Sequence, residues 1–136
     1  MESKDKDAAI NELLEKAEAF TDLHDPESLR RSIFSRVGDI GTGLGRGVAV
    51  AHGESTEFDN VAIAIGISKV GIGAPDEEPI HILFLLVNAE GDCSGYLDAL
   101  STVTKLMRMQ DVRNEVCRCA TKEQIEAKFL QAVLNL

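Results

Sequence analysis

Two segments constrain the fold of this chain more than anything else in it. Residues 61–68 read Val-Ala-Ile-Ala-Ile-Gly-Ile-Ser, and residues 80–88 read Ile-His-Ile-Leu-Phe-Leu-Leu-Val-Asn. Side chains of a strand alternate between its two faces, so a strand with one wet face alternates apolar with polar residues. Here Val61, Ile63, Ile65 and Ile67 alternate only with Ala62, Ala64 and Gly66, and the second run is apolar almost throughout. Both strands therefore need cover on both faces, with 80–88 at the centre of the sheet. A third β segment is expected at Val48–His52.

Amphipathic helices are available to provide that cover. Ile10, Leu13, Leu14 and Ala17 recur at helical spacing and predict a first helix over about residues 7–20. Asp25-Pro26-Glu27 opens a second, with a capping Asp, a Pro suited to the first helical position and a Glu at the positive end. Leu29, Ile33 and Val37 line its inner face until Gly38. After the strands, Ser94 begins a helix with Leu97, Leu100, Val103 or Thr104, and Met107 inward, and a short helix follows near Asp111–Val116. Thr121 with Gln124 three residues on is a capping box, opening a last helix striped by Ile125, Phe129, Val133 and Leu136. The expected architecture is an α/β sandwich, a mixed β-sheet flanked by α-helices, as a single domain over residues 1–136.

Several function classes are disfavoured. A net charge of −9 opposes nucleic-acid binding, which relies on Lys and Arg neutralising phosphates. No apolar run approaches the roughly 18 residues of a membrane span, and the charged residues Met1 to Asp7 do not resemble a signal peptide, so a cytoplasmic protein without membrane insertion is expected. Cys93, Cys117 and Cys119 cannot all pair within one chain, which fits a reducing compartment. Cys117-x-Cys119 is too tightly spaced for an ordinary zinc knuckle, so these thiols are read as buried or half-buried, and no metal or cofactor is expected.

The chemistry is concentrated in residues 38–53, Gly-Asp-Ile-Gly-Thr-Gly-Leu-Gly-Arg-Gly-Val-Ala-Val-Ala-His-Gly, where six of the chain's 11 glycines fall. So many glycines indicate backbone that bends sharply and approaches something closely. The spacing is neither the dinucleotide fingerprint nor a phosphate-binding loop ending in Gly-Lys-Ser/Thr. What remains is a glycine loop feeding a short strand that ends in His52-Gly53. Neutral imidazole is a nucleophile and can form a covalent phosphoramidate. His24 and His81 read as structural.

Arg36, six intervening residues and then Gly43-Leu44-Gly45-Arg46-Gly47-Val48-Ala49-Val50-Ala51-His52-Gly53 resemble the signature of the fructose/mannitol/nitrogen-regulatory class of phosphotransferase-system IIA domains. The resemblance continues through Gly73-Ala74-Pro75-Asp76, Pro79–Leu86 and Tyr96–Ser101. It implies the mannitol-type IIA fold. It also implies that His52 takes a phosphoryl group from the histidine-containing phosphocarrier protein and passes it to a IIB partner, or holds it as a regulatory signal. Arg36, sixteen residues before His52, would then neutralise phosphoryl oxygens through two parallel donors, which Lys cannot offer. Two departures stand out: Ala51 replaces the family's proline, and Tyr96 falls where many relatives carry a second histidine. The competing reading is a phosphorylation-incompetent regulatory or interaction domain of the kind appended to ion transporters.

Overall fold

The computed structural model describes residues 4–35, 46–73, 78–92 and 94–136. Its elements run in the order α1 (Lys6–Lys16), a 3-10 turn (Glu18–Phe20), α2 (Pro26–Phe34), β1 (Val48–Ser55), β2 (Ala62–Ile72), β3 (Ile80–Ala89), α3 (Ser94–Met107), α4 (Gln110–Arg118) and α5 (Lys122–Leu134). The sheet order is β1-β3-β2. β3 lies parallel to β1 and antiparallel to β2. The most apolar strand is therefore central, as its composition requires.

Strand alternation divides the core into two layers. Ala49, Ala51, Leu83, Leu85 and Val87 face Ala9, Ile10 and Leu13 of α1 and Leu29 and Ile33 of α2. Val48, Ile82 and Phe84 face Val103, Leu106 and Met107 of α3 and Val116 of α4, with Ile125 and Phe129 of α5 packed behind them. The outcome is the expected α/β sandwich.

Several boundaries differ from the sequence expectation. The first helix stops at Lys16, not near residue 20, because Ala17 takes an extended conformation and bonds back to the Leu13 carbonyl. That break turns Phe20 into the core, edge-on to Phe58 at 6.0 Å. β1 continues three residues past His52, paired with β3 as far as Ser55↔Ala89, so His52 lies inside the strand and not at its end. Leu97 and Leu136, expected inward, are 60% and 55% exposed. No residue of α5 is fully buried. Val37 and Gly38 of the second helical stripe lie outside the described residues, as does Cys93.

Local signals of helix entry are realised. Asp25 accepts from the Ser28 N–H with Pro26 in the first turn, and Thr121 and Gln124 form a complete capping box. Where α2 crosses β1 the backbones meet closely. A Cβ on Gly53 would lie 2.5 Å from Ile33 Cγ1 and 3.1 Å from Leu29 Cδ1. Glycine after His52 is thus required by helix–strand approach. Beside it, the Glu54 N–H donates to Ser32 Oγ at 2.8 Å.

Candidate functional site

Strand parity decides which way His52 points. Gly53, like Ala49 and Ala51, faces α2, so His52 faces the opposite layer, toward α3. In the parallel register His52 lies opposite Leu86 and Glu54 opposite Asn88, which puts Asn88 on the same face as His52, one pleat along β3. The first turn of α3 then brings Tyr96 over the ring. Gly95 permits this: a Cβ there would lie 2.7 Å from Val61 Cγ2.

Within this frame His52 is half-buried. Its imidazole stacks on the Tyr96 ring with centroids 3.7 Å apart and planes within 9°. Its Nε2 meets Asn88 Oδ1. Asn88 is fully buried, and its Nδ2 donates to the carbonyls of Ala89 at 2.8 Å and Asp92 at 3.0 Å. With both amide hydrogens committed, the oxygen must face the histidine, and an oxygen only accepts. The His52 Nε2 therefore carries the hydrogen in this arrangement, which in the neutral ring leaves the lone pair on Nδ1. The turn that supplies the Asp92 carbonyl is itself tied down. The Asp92 carboxylate accepts from the Ser94 N–H at 3.1 Å and the Ser94 hydroxyl at 2.7 Å, which holds its pKa below the usual carboxylate value.

Of the two site residues expected from sequence, the structure places His52, whereas Arg36 and glycines 38–45 of the loop lie outside the described residues. The last turn of α2, just before Arg36, is bonded through Ser32 to Glu54, two residues from His52. Sequence reasoning assigned Asn88 no role. One signal was available, for Asn88 is a polar amide closing a strand expected to be covered on both faces, and such a group must find hydrogen-bond partners. The two other histidines make structural contacts: the His24 N–H donates to Glu57 at 2.6 Å, and His81 Nδ1 donates to the Ser68 carbonyl at 2.8 Å. Cys117 is half-buried and Cys119 buried, both as free thiols. Among the described residues no group of three or more His, Cys, Asp or Glu could hold a metal ion, and no helix is long and apolar enough to cross a membrane.

Comparison with known proteins places this geometry in context. Residues 1–132 match the family model described as phosphoenolpyruvate-dependent sugar phosphotransferase system, EIIA 2. The fructose-specific EIIABC component of Bacillus subtilis is 29% identical over 127 residues, covering 92% of this chain and 20% of that protein. The chain thus spans about a fifth of that relative's length. A nitrogen regulatory protein of Bradyrhizobium diazoefficiens is 26% identical over 133 residues, covering 96% of this chain and 83% of the relative. Among solved structures, nitrogen regulatory protein IIA-Ntr from Neisseria meningitidis superposes with a TM-score of 0.75 at 25% identity, covering 95% of this chain and 89% of that one. The fold is also that of the IIA mannitol protein of Escherichia coli, with a TM-score of 0.72 at 14% identity over 95% of this chain and 92% of that one.

Proposed function

This chain belongs to the phosphoenolpyruvate-dependent sugar phosphotransferase system EIIA 2 family, and from that premise we propose that His52 is its phosphoryl acceptor. The observation that carries the reading is the setting of His52, a half-buried imidazole held by a fully buried amide and a stacked phenol ring in a strand fed by a glycine-rich segment. The donor is the histidine-containing phosphocarrier protein. A ring nitrogen of His52 attacks the donor's phosphohistidine phosphorus, the donor N–P bond breaks, and its electron pair returns to the donor ring. The phosphoryl group then passes to a IIB partner or persists as a regulatory state. A IIB partner is also suggested by the solved complex of IIA mannitol with phosphorylated IIB mannitol, of the same fold at 13% identity. Such transfer depends on positioning and charge neutralisation. Arg36, which follows the end of α2, supplies the guanidinium. The reaction takes place in the cytoplasm, within a single domain spanning residues 1–136.

A second reading, a regulatory domain that does not accept phosphate, is favoured by one observation. Asn88 holds the His52 Nε2 and Tyr96 covers a ring face. Attack through Nε2 requires the bond to Asn88 to open, whereas attack through Nδ1 does not.

Incubation with phosphoenolpyruvate, enzyme I and the phosphocarrier protein decides between them. One acid-labile, base-stable phosphoryl group is expected, absent from His52→Ala. Arg36→Lys keeps the charge but loses the paired donors, and slows transfer roughly ten- to a hundredfold, about 1.4–2.7 kcal/mol. An unlabelled wild-type protein establishes the second reading, and normal labelling of His52→Ala refutes the first.

A further inference from the structure

A second polar centre lies far from His52, at the start of the parallel strands. Between Ile67↔Ile82 and Ile72↔Ile80 the β2–β3 register shifts, so four residues of β2 stand against one of β3. Gly71, at φ +94°, makes this possible, since a Cβ there would lie 2.7 Å from Pro79 Cβ. A bulge re-aims the groups within it. Here the Ser68 carbonyl meets His81 Nδ1, and Lys69 turns toward α4. On the other side Arg46 enters β1 with φ 57°, the sole non-glycine residue at positive φ among the described residues. A side chain held in that conformation is strained, and such strain concentrates at functional positions.

Together these devices surround a cavity of about 310 Å³ with Arg46, Lys69, His81 and Arg113. Each cation is anchored on a helix C-terminus, where carbonyls attract positive charge. Arg46 Nη1 donates to the Arg108 carbonyl at 3.3 Å, and Arg113 Nη1 to Met107 at 2.5 Å. Lys69 Nζ donates to Cys117 and, at 3.4 Å, to Cys119. Those contacts occupy one of the five N–H donors of each guanidinium. Among the described residues none of the three pairs with a carboxylate, and none of the residues lining the cavity is acidic. The charges of Lys69 and Arg113 reach Cys117 in the wall, where they counter the upward pull of burial on its thiol. In a chain of net charge −9, three cations around one cavity, none paired with a carboxylate among the described residues, form an exception to its overall electrostatics.

We propose that this cavity binds a small phosphoryl dianion, either free inorganic phosphate or the phosphate group of a small monoester. Planar guanidinium forks match phosphate oxygens in pairs, and the cavity is at the small end of the range for ligand sites, about 300–1,000 Å³. Gly47, just before β1, and His52 within it are five residues apart, roughly 16 Å at about 3.3 Å per residue, so this site is separate from the imidazole. It sits where the glycine segment joins β1, at Arg46 and Gly47.

The test is an amide-NMR titration of the intact chain with inorganic phosphate and, separately, glycerol 3-phosphate, at constant ionic strength. Saturable shifts at Gly47, Ser68 and Lys69 are expected at millimolar ligand. Arg46→Gln and Arg113→Gln should each weaken binding at least tenfold. Arg113→Gln removes a contact to the α3 terminus, so Arg46→Gln, in an exposed turn, keeps the test decisive should Arg113→Gln fail to fold. His52→Ala should bind as the wild type does, which makes the result independent of phosphotransfer. Tighter binding of the ester identifies a monoester as the ligand, and equal or weaker binding identifies free phosphate. Linear, non-saturating shifts overturn the proposal, as does undiminished binding by Arg46→Gln.

Discussion

At the scale of single residues, His52 gains its orientation from two neighbours of different kinds. Asn88 fixes a ring nitrogen by a hydrogen bond, and Tyr96 fixes the ring plane by stacking. Asn88→Leu keeps comparable bulk but removes the acceptor, so the His52 ring loses the constraint on its tautomer. In ¹⁵N spectra of the ring nitrogens the wild type should show the Nε2–H form predominating, and Asn88→Leu should show a shift toward the mixture of free imidazole; identical spectra would show that Asn88 does not set the tautomer. Tyr96 tests a different property. A phenol, with pKa about 10, brings no positive charge beside a phosphoryl group carrying roughly −1.5 to −2, whereas a second imidazole can. Tyr96→His should therefore exchange phosphate faster with the phosphocarrier protein, and Tyr96→Phe should lose little. Equal rates for all three proteins would make Tyr96 scaffold. In the sequence His52 stands out through the glycine segment before it and, by the family resemblance, through an arginine sixteen residues earlier; its role as acceptor is the proposal made above. Asn88 was not, because its role depends on a strand register that places it one pleat from His52, and register is a property of two strands together.

At the scale of elements, the sequence signals that proved accurate were chemical and local. The Asp25-Pro26 start of α2 and the Thr121–Gln124 box of α5 concern donors and acceptors within one turn of chain. Lengths were less legible. The expected strands, 48–52 and 61–68, became Val48–Ser55 and Ala62–Ile72, because pairing with β3 carries each into residues whose own composition is polar or glycine-rich. Leu97 also misled: it has the spacing of a core residue but lies in the first turn of α3, where it is 60% exposed. The α2–β1 crossing offers a direct test of packing. Gly53→Ala places a methyl against Ile33 and Leu29, and overpacking of this kind costs about 1–3 kcal/mol. The urea midpoint should fall accordingly. Because α2 must move outward, His52 phosphorylation should also slow. An unchanged midpoint would mean that α2 is free to shift.

At the scale of the whole molecule, the apolar strands and amphipathic helices implied a layered sandwich, and this is the fold found. The sequence could not show how unevenly the layers are held. On one side α1 and α2 bury Ala9, Ile10, Leu29 and Ile33 completely. On the other, α5 closes the layer with half-buried Ile125, Phe129 and Val133 and leaves Leu130 and Leu134 59% and 76% exposed. An element with few buried contacts opens locally at low free energy. Amide hydrogen exchange should therefore be fastest, among the helices, in residues 122–134, and slowest in β3; protection of α5 equal to that of β3 would contradict this picture.

That loosely held helix has a further task. β2 is a sheet edge, with its outer side opening into a groove of about 920 Å³ between α1 and α5 that includes Ile63, Ile65 and Ile67. Unpaired edges rich in β-branched residues template the pairing of other chains. Lys69, which also lines that groove, spends its charge on the carbonyls of Cys117 and Cys119. When α5 lifts, the Ile63, Ile65 and Ile67 side of that groove opens to solvent, with Glu12 and Lys16 of α1 as its remaining charged cover, and pairing of two molecules along β2 is expected to become easier. Tolerance of concentrated solution should then depend on how long the last helix stays down, and light scattering that grows with concentration below the unfolding temperature would show it.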